Sequence, residues 1–147
     1  MASHTNNWSF CCVAALALFV CAGDCEGADE TRATSMHLGM LYPNGVDVVG
    51  YTIEDKLNDN LYRYYTFGFP ALASIGVSYY KNHAGNGLTA SMGTGVGFLN
   101  QVNGSVAYQW QVQQSKEPAF IKLGVGYAAS LVFNGVIPVL SYEQRFH

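Results

Sequence analysis

From Ser105 to Gln113 the chain alternates strictly: Val106, Tyr108, Trp110 and Val112 fall on one face, with Ser105, Ala107, Gln109, Gln111 and Gln113 on the other. A period of two is the signature of an extended strand with one apolar and one polar side. Leu88 to Phe98 repeats it, setting Leu88, Ala90, Met92, Thr94, Val96 and Phe98 against Thr89, Ser91, Gly93, Gly95 and Gly97. In Ala119 to Leu131, Ile121, Leu123, Val125 and Tyr127 oppose Lys122, Gly124, Gly126 and Ser130. No window carries a sustained helical period, so the pattern predicts an all-β chain.

Turn-forming sequences separate these runs. Asn100–Gly104 (NQVNG) and Gln114–Pro118 (QSKEP) each read as a hairpin turn, and Asn134-Gly135 is a two-residue hairpin signal. Upstream, Pro43-Asn44-Gly45 divides two further runs, Asp55–Asn60 is a polar connection, Pro70 interrupts an aromatic stretch, and His83–Gly87 (HAGNG) makes another turn. The result is eight strands, at 35–42, 46–54, 61–69, 71–81, 87–98, 105–113, 119–131 and 136–146. Even spacing and short connections point to an antiparallel up-and-down β-barrel.

Periodicity does not say which face is inside; composition does. A sheet facing water carries Lys, Glu, Asp and Arg, and soluble edges use such charges to block pairing. Here the polar faces are built of Gly, Ser, Thr, Ala and Gln, with Glu54, Lys122, Glu143 and Arg145 among the few charges. Small residues suit the crowded interior of an eight-stranded barrel, which side chains just fill. The expected arrangement is therefore inverted: polar interior with a charge network, apolar wall outside, Tyr and Trp at lipid headgroup level, and no wide pore. In the alternative, a soluble barrel would bury the Tyr/Trp/Val face and hold a small apolar ligand there.

The amino end reads as a leader. Phe10–Ala22 (FCCVAALALFVCA) is an uncharged run of 13 residues. That is short for a spanning helix, which needs about 20 residues, and right for the apolar region of a signal peptide. Cys25 and Gly27 supply small residues before a cut at Ala28, which gives a signal peptide over 1–27 and a barrel domain over 28–147. The segment before the apolar run has no Lys or Arg, where a signal peptide carries positive charge, so an uncleaved anchor and a mispredicted start codon are the alternatives. All four cysteines lie within the first 25 residues, so no disulfide framework is expected in the barrel. The part after Gly27 has seven basic and eight acidic residues and no basic run, which argues against a nucleic-acid partner.

The last strand ends SYEQRFH, with Phe146, Tyr142, Leu140, Pro138 and Val136 on one face. This resembles the terminal strand of the small eight-stranded outer-membrane β-barrel proteins of Gram-negative bacteria. The resemblance implies outer-membrane localisation, both termini in the periplasm, and a terminal aromatic residue read by the assembly machinery. The sequence departs from that pattern in three ways: His147 follows the phenylalanine, Gln144 interrupts the apolar face, and the connections expected to face outward are short.

Chemistry is sparse. Gly93-Thr94-Gly95-Val96-Gly97 has the look of a phosphate loop but lies along a strand, where small interior residues account for it. His37, His83 and His147 are not spaced as metal ligands; His83 and His147 are expected in solvent and His37 inside the barrel. Some small outer-membrane barrels are lipid A-modifying enzymes, and His37, Ser141 and Glu143 come from strands that would adjoin in a closed barrel. Asn103-Gly104-Ser105 matches a glycosylation acceptor, though a hairpin turn is the simpler role. The expectation is an integral outer-membrane barrel with a structural or interaction role, in contact with lipid, without cofactor, metal site or catalytic residues.

Overall fold

The computed structural model describes residues 32–41, 43–97, 100–130 and 133–146. The leader 1–27, its cut at Ala28, the four cysteines, Tyr42 and His147 lie outside the described residues. Eight strands run in chain order: β1 (Arg32–Leu41), β2 (Val49–Lys56), β3 (Leu61–Phe69), β4 (Ala71–Tyr80), β5 (Gly87–Gly97), β6 (Gln101–Gln113), β7 (Ala119–Ser130) and β8 (Asn134–Phe146). Each pairs antiparallel with the next, and β8 returns to β1 through pairs such as His37–Glu143 and Thr34–Phe146. The sheet is a closed barrel, which removes the unpaired edges of an open one.

Closure follows from the alternation. Side chains at even spacing must share one side of the wall, and the wide, branched and aromatic ones cannot all enter an eight-stranded lumen. Met36, Leu38, Phe67, Met92, Val106, Tyr108, Trp110, Val125 and Tyr142 accordingly point outward and are exposed. Ser35, His37, Thr52, Glu54, Thr66, Ser78, Gln109, Lys122, Glu143 and Arg145 are buried inside. The polar faces of the strands thus point into the barrel and the apolar faces out. One part of the expectation needs correction, since Tyr62, Tyr64 and Tyr80 are interior residues, as is Phe120.

Three turns also differ from the reading of the sequence. Asn103-Gly104 is not a turn: both residues lie within β6, where Asn103 pairs with Gly93 and Ala128 and its side chain is buried. Asn134-Gly135 opens β8 instead of making the hairpin, pairing with Ala129 and Ala128. β2 begins at Val49 and not at residue 46, because 43–48 forms a longer connection. Local turn propensity loses at these places to the continuous hydrogen-bonding that a closed barrel demands. Pro70 does divide two strands, through a cis peptide bond with Phe69.

The described barrel therefore has two ends. Arg32, Phe146 and the connections 57–60, 81–86 and 114–118 lie at the terminal end. The connection 43–48, Pro70, and the links from β5 to β6 and from β7 to β8 lie at the opposite end.

Candidate functional site

The chemistry of the molecule is concentrated in its lumen. Glu143 on β8 accepts two charged donors, Lys122 Nζ from β7 and Arg145 Nε from its own strand, each at 2.5 Å. β7 and β8 are neighbours in the sheet, so these side chains are brought together by register alone. Arg145 also stacks over the Phe120 ring, its guanidinium carbon 4.4 Å from the centroid, and over Tyr80 at 5.1 Å. All three charged groups are essentially inaccessible to water. Such charges are tolerable in the interior only when paired and hydrogen-bonded.

Glu54 on β2 is the second centre. Its Oε1 accepts from the Tyr80 hydroxyl at 2.5 Å and from Asn44 Nδ2 at 3.0 Å. Its Oε2 lies 3.0 Å from His83 Nε2, which donates because a carboxylate only accepts. Lys122 reaches across to Tyr80 Oη at 3.5 Å, so the two centres join. Two carboxylates and two cations make up this network, as the polar faces of β2, β7 and β8 predicted.

Both ends of the barrel fold in upon it. From the terminal end comes the turn 81–86. His83 stacks on Tyr62 at 4.2 Å between centroids and lies edge-on to Tyr80. Arg145 Nη1 donates to the His83 carbonyl, and Gln109 Nε2 donates to the carbonyls of Asn82 and Gly85 at 2.8 and 2.6 Å. His83 is thus largely buried, not solvated, and burial holds its imidazole below the ordinary histidine value against the pull of Glu54. Nothing in HAGNG as a sequence marks this inward fold; the signal was the space left by small residues on the facing strands.

From the opposite end comes the connection 43–48. Its Asn44 bonds Glu54 and also accepts from Ser78 Oγ at 2.7 Å. The Pro43 carbonyl accepts from Ser91 and Ser105. Asp47, wholly buried, accepts from the Ala71 N–H at 3.0 Å through Oδ1, and its Oδ2 has no partner among the described residues. Desolvation pushes its carboxyl up to about 6, the Ala71 hydrogen bond opposing. Glu54 is therefore held from both ends at once, by Asn44 and by His83, with the lumen filled between them. A cavity of about 20 Å³ beside Pro43, Asn103 and Val139 is of one-water size.

Gly93 and Gly95 of GTGVG leave room for interior side chains of neighbouring strands. A Cβ at Gly93 would meet the Tyr64 hydroxyl, and one at Gly95 would lie 2.6 Å from Ser74 Oγ. Gly50 and Gly68 do the same for His37 and Asp47. These two glycines lie on an interior strand face, and among the described residues no helix stands beside them to form a phosphate site.

His37, Ser141 and Glu143 do come together on adjoining strands, His37 opposite Glu143 and Ser141 opposite Gly39. The Ser141 hydroxyl, however, makes no hydrogen bond among the described residues, and all three side chains are buried. A nucleophilic serine needs a base in hydrogen-bond reach. Among the described residues no cluster of His, Cys, Asp or Glu is arranged to hold a metal ion. The larger apolar depression, about 450 Å³ against Leu38, Ile121, Leu140 and Tyr142, is on the outer wall and not in the lumen. Comparison with protein-family models, with curated proteins and with solved structures finds no match.

Proposed function

We propose that the barrel is an integral outer-membrane protein with a structural or interaction role, its wall in lipid and its lumen closed. The observation that carries this reading is the sidedness of the wall. Aliphatic and aromatic side chains cover the outside of the strands, while Glu54, Lys122, Glu143 and Arg145 and most of the small hydroxylic side chains are buried within, and the charges that stay on the surface are confined to the terminal end. A water-soluble protein rarely leaves contiguous apolar surface beyond a few hundred Å²; here that surface encircles the molecule. Strand lengths from 8 to 13 residues bracket the 9–11 or so that a tilted strand needs to cross a bilayer.

Aromatic placement supports the same reading. Tyr79, Tyr108, Trp110 and Tyr142 lie outward on the terminal halves of β4, β6 and β8, while Phe67, Phe69 and Tyr127 lie outward on the opposite halves of β3 and β7. Two such bands are what lipid-spanning barrels place at their interfaces. Phe146 keeps its backbone in the β1–β8 seam, where Thr34 Oγ1 donates to its carbonyl, and the assembly machinery would read it there before closure. With Glu54 bridging the two inward-folded connections, the lumen passes no wide stream of solute, and the role lies in the wall and the rims.

Fractionation tests the proposal. The protein should pellet with outer membranes, resist carbonate washing, dissolve only with detergent, and migrate faster on a gel when unheated. A chain that stays in the aqueous fraction without detergent overturns it.

A further inference from the structure

Exposed charge among the described residues is distributed asymmetrically along the barrel axis. Among the described residues, every exposed charged side chain (Arg32, Lys56, Asp59, Lys81, Lys116 and Glu117) lies at the terminal end. Two half-buried ones join them there: Asp55 binds Arg32 at 2.9 Å and Arg63 at 3.3 Å across β1, β2 and β3. At the opposite end the single described charge is Asp47, and it is folded into the lumen. The sequence between β5 and β6 and that between β7 and β8 also carry no charge: 98–100 reads Phe-Leu-Asn and 131–133 reads Leu-Val-Phe.

The rim itself continues the wall. Val48, Phe69, Leu72, Val96, Val102 and Val136 are exposed there, spread around the circumference from β2 to β8, and Val136 is 73% exposed. These side chains point away from the axis, while the mouth between them is occupied by Asn44 and Asp47. An apolar rim in water is costly in proportion to the area left exposed. A docked protein would cover one sector of such a ring or the mouth. Only an isotropic apolar medium covers the ring from all sides, and the wall below is continuous with it.

Resting on the membrane reading above, we propose that the uncharged end does not emerge into water: its rim and tips stay immersed in the acyl-chain and headgroup region of the far leaflet. The protein then presents an aqueous surface on one side of the bilayer only, that of its termini. Insertion carries only uncharged connections across the hydrocarbon, since the one carboxylate among the described residues of that end travels inside the lumen.

Single cysteines test this in the full-length chain with Cys11, Cys12, Cys21 and Cys25 replaced by serine. Val48→Cys, Asn100→Cys and Phe133→Cys report the uncharged end, and Asn58→Cys and Ser115→Cys the charged end. The chain is placed in phosphatidylcholine–phosphatidylglycerol vesicles and exposed to a charged maleimide before and after permeabilisation. The uncharged-end cysteines should label at least about tenfold more slowly than the others under both conditions, and a fluorophore attached there should be quenched by brominated lipid. Three positions guard against one variant that fails to fold, and each is used only if its unheated band keeps the compact mobility. Equal labelling of both ends after permeabilisation, in a chain that floats with the vesicles, overturns this inference and leaves the membrane reading standing. Protection without quenching by lipid also overturns it, because a second copy or another protein then covers the rim. A chain that does not float overturns both.

Discussion

At position 93 the lumen has no room for even a methyl group. A Cβ there would meet the Tyr64 hydroxyl and lie 2.6 Å from the Ile75 carbonyl oxygen, and Gly76 beside it is closed by the same hydroxyl at 2.5 Å. Tyr64 on β3 lies across these glycines of β4 and β5, so its ring takes the volume their side chains would have used. Gly93→Ala should therefore destabilise the barrel by about 1–3 kcal/mol, the usual range for forced overpacking. Gly104→Ala is the control, because a methyl group there has the Ser91 carbonyl at 3.5 Å as its nearest neighbour. Unfolding in denaturant should show the first loss and leave the second within about 0.5 kcal/mol or slightly stabilised. Equal effects at the two positions would mean that Tyr64 does not occupy the lumen as described.

Among the elements, the strands and the places of several connections, such as 114–118 and Pro70, were open to reading, and the inward paths of two connections were not. Alternation between Val106, Tyr108 and Trp110 and their Gln neighbours is a local property, and β5 to β8 follow it closely. The inward paths of 43–48 and 81–86 depend on vacant volume set by residues far away, among them Gly68, Ser78 and Ser91. For that reason His83 read as solvated and Asp47 drew no attention. Asp47 now carries a prediction of its own. Its carboxyl titrates near 6 in the fold and near 3.8 in the unfolded chain. Between those values the native state holds a proton that the unfolded state has released, so the contribution of Asp47 to stability falls as pH rises from about 4 to about 6. The full difference corresponds to roughly 2–3 kcal/mol. His83, with its lowered value, works in the other direction, stability being lost as pH falls. The difference between wild type and Asp47→Asn isolates the carboxylate: it should be small at pH 4, grow in favour of the variant between pH 4 and pH 6, and level off above. A difference that is flat with pH would place Asp47 in water.

For the whole molecule, the deciding question is what surrounds the wall, and one substitution separates the possibilities. Val125 is midway along β7, points outward, is 60% exposed, and has Val106 and Pro138 as its cross-strand neighbours. If the wall faced water, arginine at this position would be an ordinary surface change, worth at most about 0.5 kcal/mol either way. In a bilayer the same guanidinium would sit near the midplane of a lipid-facing strand, where it costs roughly 2–4 kcal/mol. Gln114→Arg, in the exposed connection between β6 and β7, should be neutral in either medium. Reversible unfolding from lipid vesicles should thus show Val125→Arg strongly destabilised and Gln114→Arg unchanged. The lumen cannot compensate, since the position faces away from Glu54 and Glu143 and no carboxylate stands beside it on the wall. Arginine tolerated at Val125 in vesicles would mean that the apolar surface is covered by something other than lipid.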